Sequence, residues 1–356
     1  MVTDKQFQAR GQIHIWLLTF WHPRALGFFI APPQAWSSKT FIERRLSMPS
    51  LVVALVNYNG FDETSRALKS IDLRLSTGYE VIVVDNGSTD ESVVKIREKY
   101  PQVTVLQLFR NAGYPGGCNA AIEYSSKRGA EFVLLCNNDV VFAPDTIARL
   151  LRTAEIDSKI SIVVPRIYYS GDHLRIWAAG AEVSRLTGLT RQRGMDLLEH
   201  EFKPSPNPVD LETCTGCCML VRISTIAMAG KLREEFFLYY DEVDWCWRMK
   251  KKGLRIVLDD GSHLWHQVSR SVGLSSPMFW YYLTRNQILF VRLNFPMKYR
   301  LTAVSFLIGG VVPIRILQLA LNKTQPQIVA LFHGLIDGLF GRTGPRSELE
   351  RFPKGR

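Results

Sequence analysis

Residues 79–90, YEVIVVDNGSTD, and residues 131–142, EFVLLCNNDVVF, are one device used twice: an apolar β run ending in an acid, Asp85 in the first and Asp139 in the second. Aliphatic and β-branched residues bounded by Gly, Asn and Asp read as strands buried on both faces. In an open parallel sheet the carboxyl ends of the strands face the ligand crevice. Two acids so placed point into one shared pocket, and the expected occupants are a nucleotide and a metal ion.

The pattern around these runs alternates. LVVALVNY from Leu51 precedes the helical DETSRALKSI; TDESVVKIREKY, GGCNAAIEYSSKRG and APDTIARLLRTAEI follow successive strands. Strand and helix units of this length build a mostly parallel sheet covered on both faces. Helix starts carry their usual marks, with Ser88, Thr89 and Asp90 before one and Pro144 with Asp145 opening another. Past residue 165 the pattern loosens into IWAAGAEVSRLTGLTRQRG, read as a hairpin or extended loops. TGCCMLVRISTIAMAG and FFLYYDEVDWCWRMKKKGLRIVL then restore the core.

With 356 residues, 46% of them hydrophobic, the chain can bury a core of about 200 to 250 residues plus appendages. The net charge of +11 sits in the ends: +4 in residues 1–47, +1 in 48–295 and +6 in 296–356. A basic rim on a near-neutral body suits anionic lipid or a phosphorylated substrate. Nucleic acid is not expected, because the tails hold no binding module and are mixed with apolar stretches. Cys118, Cys136, Cys214, Cys217, Cys218 and Cys246 sit mainly in apolar or aromatic surroundings and read as reduced thiols of a cytosolic protein; CTGCC has no second cluster to complete a zinc site.

The expected divisions are an N-terminal extension (1–47), the α/β domain (48–295) and a basic, amphipathic, membrane-associated region (296–356). Met48 stands directly before the first strand and is the expected start of translation; an interfacial anchor is the other reading of residues 1–47. LTAVSFLIGGVVPIRILQLAL is interrupted by Pro313, Arg315 and two glycines, which favours attachment to one membrane face over a crossing.

Candidate chemistry gathers at four places. An exposed Asp85 would accept hydrogen bonds from a base or ribose, with Gly87 allowing close approach. Asn111, Gly113, Gly116, Gly117 and Asn119 form a turn into a helix, whose N-terminus favours anions. Asn137, Asn138 and Asp139 suit a hard cation, because phosphate oxygens and water fill the rest of its shell. Asp241, Glu242 and Asp244 open a helix amid aromatic residues, where desolvation would raise a carboxyl toward a general base. His263 or His266 adds a metal or diphosphate contact, and Arg285 with Asn286 a cationic one.

Taken in order, LVNYNG, VVDNGSTDES, RNAGYPGGCNAAI, LCNNDVVF, TGCCMLVR, FFLYYDEVDWCWR, WHQVSRS and YYLTRNQILF resemble the motifs of family 2 glycosyltransferases over roughly residues 51–295, with rhamnosyltransferase-like members nearest. The resemblance implies a GT-A α/β fold with C-terminal amphipathic membrane-associating helices. It implies an inverting, metal-dependent enzyme using Mg²⁺ or Mn²⁺, which moves a sugar from a donor such as dTDP-rhamnose to a glycan or lipid-linked glycan. It places Asn57, Asp85, Asn111, Gly113, Asn119, Asn138 and Arg285 at the nucleotide sugar, Asp139 and His266 at the metal, and Glu242 with Asp241 at catalysis. Two departures are visible: Asn-Asn-Asp where the family has Asp-any-Asp, and Asp-Glu where it has Glu-Asp. The implied setting is the cytoplasmic face of the cell membrane, in surface polysaccharide synthesis.

Rival classes fit less well. The first strand leads into NYNGFDE, not the glycine fingerprint of a dinucleotide oxidoreductase. A sugar nucleotidyltransferase would carry an early Gly-rich basic loop. A non-catalytic membrane scaffold would bind nucleotide sugar without turnover.

Overall fold

Every residue of the first strand, β1 (Leu51–Asn57), is buried, and its side chains divide strictly by parity. Val52, Ala54 and Val56 join one hydrophobic core, Leu51, Val53 and Leu55 another. A strand sandwiched between two helical layers must read as continuous apolar sequence, and this is why LVVALVN lacks polar alternation. The computed structural model describes residues 50–71, 78–203, 208–268 and 276–346. The readings of residues 1–47 and of the start at Met48 lie outside these residues.

β1 pairs in parallel with β2 (Tyr79–Asp85) and β4 (Phe132–Asn137), and β2 with β3 (Thr104–Gln107). Helices α1 (Phe61–Ser70) and α2 (Ser92–Lys99) pack toward the odd-numbered β1 residues, and α3 (Gly113–Lys127) toward the even-numbered ones. At Gly117 an added Cβ would come 2.7 Å from Val56, so only glycine lets α3 lie this close to β1.

β5 (Val140–Phe142) and α4 (Thr146–Glu155) lead into β6 (Ile160–Tyr169), which turns back as β7 (Asp172–Ala178). β8 (Ala181–Val183) and β9 (Thr190–Gln192) form a separate hairpin, the outcome expected for the Gly-rich stretch. After the short β10 (Val209–Asp210), β11 (Cys218–Arg222) inserts antiparallel between β4 and β6; α5 (Ile223–Ala229), α6 (Asp241–Lys251) and β12 (Arg255–His266) follow. The central sheet is thus mostly parallel but mixed. Two pairings decide the site. β11 lies beside β4, and β5 pairs with the end of β12, putting Val140 opposite His266.

The last helices are α7 (Pro277–Asn294), α8 (Met297–Phe306), α9 (Val312–Leu321) and α10 (Gln325–Phe340). A π turn at Leu307–Val311 fuses α8 and α9 into one 25-residue helix, Met297–Leu321, long and apolar enough by composition to cross a membrane. α10 packs on α7 through Gly334, where a Cβ would overlap the Tyr281 carbonyl, and Gly338, where one would stand 3.0 Å from that of Arg285.

Candidate active site

The parallel register aligns the ends of β1 and β2, so Asn57 stands beside Asp85. Asp85 is fully buried, not exposed as expected. Asn57 Nδ2 donates to its Oδ2 at 2.9 Å and Ser88 Oγ at 2.5 Å, while the Ser88 amide donates to Oδ1 at 3.0 Å. The carboxylate therefore organises the turn after β2 and touches a ligand only if this network opens. Gly87, at φ +76°, is pressed against the Arg110 backbone; the close approach it permits here is to its own chain.

Asn138 likewise faces inward. Its Nδ2 lies 3.1 Å from Asn57 Oδ1, 3.0 Å from Thr64 Oγ1 and 3.2 Å from the Gly60 carbonyl, tying the end of β4 to the start of α1. Asp139 is the member of the triplet that turns toward β12. His266 Nε2 stands 3.0 Å from Asp139 Oδ1, yet that oxygen has no partner of hydrogen-bonding geometry, and His266 Nδ1 has none either. The short separation without an aligned bond leaves both groups free to coordinate. Trp177 packs on the imidazole at 4.6 Å between ring centres, and the Asn137 amide lies 3.4 Å from Nε2. His263 is elsewhere, edge-on to Tyr168 and Trp265.

The glycine turn also docks on protein. Asn86 Nδ2 donates to Asn111 Oδ1 (3.2 Å) and to the Gly113 carbonyl (2.9 Å), and Asn111 Oδ1 accepts from the Gly113 amide (2.9 Å). Gly113, at φ +73°, abuts Phe237, whose carbonyl accepts from the Tyr114 amide. Asn119, expected at the nucleotide sugar, is buried and pairs with both backbone groups of Leu232 and with Glu234 Oε1, fixing α3 to the loop before α6.

That loop carries the strain of the site. Phe237, Tyr239 and Tyr240 all have φ between +63° and +67°, the left-handed region that costs a non-glycine residue about 1–2 kcal/mol. Their carbonyls and the neighbouring ones are held from α7. Asn286 Nδ2 donates to Phe236, Leu238 and Tyr239 oxygens at 2.6–2.9 Å. Arg285 Nη2 donates to the Phe236 and Glu235 oxygens, and Nη1 to that of Gly344. Arg285 was expected at the diphosphate; it is 1% exposed, with its guanidinium over Tyr281 and Tyr282, and it braces the loop instead.

The braced loop delivers Asp241 and Glu242 to the first turn of α6. Asp244 is ion-paired with Arg233 and Arg248 and accepts a hydrogen bond from the Asn294 amide, which leaves the other two as the chemically available pair. Burial and then the Glu242 charge push the Asp241 carboxyl well above the usual range, and its Oδ2 has no hydrogen-bond partner. Glu242 is partly exposed and raised to about 6, first by desolvation; hydrogen bonds from Asp241 and from the Gly216 backbone pull it back. Both carboxyls of this adjacent pair are therefore pushed above the ordinary carboxylate range, chiefly by burial.

Gly216 and Cys217 join the two halves. Gly216 bonds Glu242, Cys217 feels the Asp139 charge, and the Asn137 amide donates to the Cys217 carbonyl. CTGCC, which sequence reasoning weighed only as half a zinc site, is thus the segment between the two acids; all six cysteines are free and buried.

Residues 52–224 match the family model for Glycosyl transferase family 2. The chain carries a family 2 glycosyltransferase domain. Among its relatives is the low-salt glycan biosynthesis hexosyltransferase Agl10 of Haloferax volcanii, 28% identical over 312 residues that cover 83% of this chain and 93% of that one. Another is the N-acetylglucosaminyl-diphospho-decaprenol L-rhamnosyltransferase of Mycobacterium tuberculosis, 26% identical over 63% of this chain and 78% of that one. The fold is that of a solved mannosyltransferase of Pyrobaculum calidifontis in complex with GDP-Man and Mn²⁺ (TM-score 0.52, 14% identity, 83% of this chain and 88% of that one).

Among the described residues, no three His, Cys, Asp or Glu side chains converge as a ready-made metal cluster. The Asp139 Oδ1 and the His266 Nδ1, each without a hydrogen-bond partner among the described residues, still fit a hard cation that takes most of its ligands from diphosphate and water.

Proposed function

We propose that this family 2 domain is an inverting, metal-dependent hexosyltransferase that moves a sugar from a nucleoside diphosphate to a hydroxyl of a lipid-linked glycan. The observation that carries the reading is the pair of raised carboxyls, Asp241 and Glu242, at the start of α6, with Gly216 bonded to Glu242 and the next residue, Cys217, within reach of the Asp139 charge. Glu242 removes the proton of the acceptor hydroxyl, and Asp241 keeps the base ionised by donating to it. Attack from the face opposite the leaving diphosphate inverts the anomeric centre. Asp139 and His266 would hold Mg²⁺ or Mn²⁺, which supplies positive charge for the leaving group. Asn57, Asp85, Asn111 and Gly113 shape the floor on which the nucleotide would lie.

The donor we favour is dTDP-rhamnose or a similar nucleotide sugar, in keeping with the named activity of the mycobacterial relative. Docking at the inner face of the membrane is supported by the Met297–Leu321 helix, where Leu301, Ile314, Leu317 and Leu321 are 59–75% exposed. Transfer by purified protein from a panel of nucleotide sugars, with and without Mn²⁺, tests the reading. Folded Glu242→Gln protein that retains full turnover would refute it.

A further inference from the structure

The face of α7 turned toward the apolar helix carries donors with nothing to donate to. Trp280, Thr284 and Gln287 follow one another at helical spacing, on one side of the helix. Thr284 and Gln287 are 2% and 1% exposed. Trp280 Nε1, Thr284 Oγ1 and Gln287 Nε2 are each buried without a hydrogen-bond partner among the described residues. Across from them, Arg315 donates from Nη1 to Gln287 Oε1 at 3.2 Å, and among the described residues no carboxylate pairs with it. Trp280 packs with Val312, Ile316 and Leu319, which puts it against the helix that carries Arg315.

An unmade hydrogen bond on a buried donor is costly, and an unneutralised guanidinium in apolar surroundings more so. Here an indole N–H, a hydroxyl, an amide and a guanidinium lie along one interface. What complements such a set is an anion with several acceptor oxygens, and guanidinium geometry matches phosphoryl oxygens in particular. The helix bearing Arg315 exposes its other side as an apolar surface fit for lipid. Arg315 and Glu242 also act electrostatically on the same residue, Tyr240, which places Arg315 near the Glu242 end of the candidate site.

We propose that Trp280, Thr284, Gln287 and Arg315 form a site for the phosphoryl head of a lipid-borne acceptor, entered from the membrane along the Met297–Leu321 helix. The assignment deepens the transfer reading above and rests on it for the word acceptor. Binding itself is measured without any sugar nucleotide, so loss of transfer and loss of this site are separable results.

The experiment is calorimetric titration of the full chain in dodecyl maltoside with EDTA, using farnesyl diphosphate, farnesol and inorganic pyrophosphate as probes. Wild type and Asp139→Asn should bind farnesyl diphosphate alike. Arg315→Gln should weaken it tenfold or more, and Thr284→Val, nearly the same shape without the hydroxyl, at least threefold. Farnesol and pyrophosphate should each bind at least tenfold more weakly than farnesyl diphosphate. Equal binding by wild type and Arg315→Gln overturns the site, as does no binding by wild type. Farnesol as tight as the diphosphate shows a lipid groove only, pyrophosphate as tight shows a free-anion site, and loss in Asp139→Asn shows the donor site; each overturns the proposal. Should Arg315→Gln not fold, Thr284→Val decides by the same readout.

Discussion

Glu242 and Asp241 differ by one position and by the environment each meets. Glu242 receives backbone and Asp241 hydrogen bonds, whereas Asp241 is buried beside its neighbour's charge. Transfer should therefore rise with pH through about 6, the range to which Glu242 is raised. Glu242→Gln should lower kcat by about 10²–10⁴-fold, the usual worth of a general base, and flatten that limb of a pH-rate profile. The stability sign is opposite. Native Glu242 binds its proton more tightly than the ordinary carboxyl at 4.5, so stability should fall as pH climbs from about 4.5 to about 6. Denaturant melts of wild type against Glu242→Gln at pH 4.5 and 7 check this. At the other acid, Asp139→Asn should abolish Mn²⁺-dependent stabilisation in thermal melts, and His266→Ala should weaken it, because Oδ1 and the imidazole are the uncommitted ligands. The sequence singled out all four residues, since acids at strand and helix ends are visible by position. It could not show that Asn138 and Asp85 turn inward, because that depends on partners 28 to 81 residues distant.

The informative element is the strained loop before α6. Three left-handed aromatic residues persist only where surrounding bonds over-determine them, and Arg285 with Asn286 supplies those bonds from α7. Asn286→Leu, of similar size, should strip the Leu238 and Tyr239 carbonyls of their side-chain donor and cost on the order of 2–4 kcal/mol in chemical denaturation. It should also reduce kcat more than the donor KM, since the loop positions the base and not the nucleotide. Gly113→Ala should be comparably damaging, because its Cβ would overlap the Phe237 carbonyl at a backbone angle disfavoured for alanine. The YYLTRNQILF motif was legible as important, but its arginine was read as a phosphate ligand. Sequence distinguishes a buried brace from a cationic contact poorly, because both require the same fork of donors.

Beyond the sheet, α7 is shared between two tasks. Asn286 and Arg285 hold the loop before α6, while Gly334 and Gly338 of α10 let the C-terminal helices pack closely on the same helix. Gly344 completes the link, its amide donating to the Glu235 carbonyl and its carbonyl accepting from Arg285. The C-terminal helices and the loop before α6 are thereby braced through the same helix. Leu317→Glu with Leu321→Glu, both more than 60% exposed, should move the protein out of the floating fraction with anionic vesicles while leaving its melting temperature within a few degrees.

The alternating pattern of strands and helices, the acids at their ends and the basic, apolar C-terminal region were settled by the sequence alone, because periodicity and strand-end chemistry are local properties. Which polar residues keep uncommitted atoms was settled only by tertiary structure. Asn57, Asp85, Asn119, Asn138 and Arg285 found buried partners across the fold, and Asp139, His266 and Glu242 did not exhaust theirs. The insertion of β11 beside β4 likewise brought Gly216 and Cys217 between the two acids. Hydrogen-bond satisfaction is a long-range quantity: a side chain is free for a ligand only after every neighbour in space has been counted.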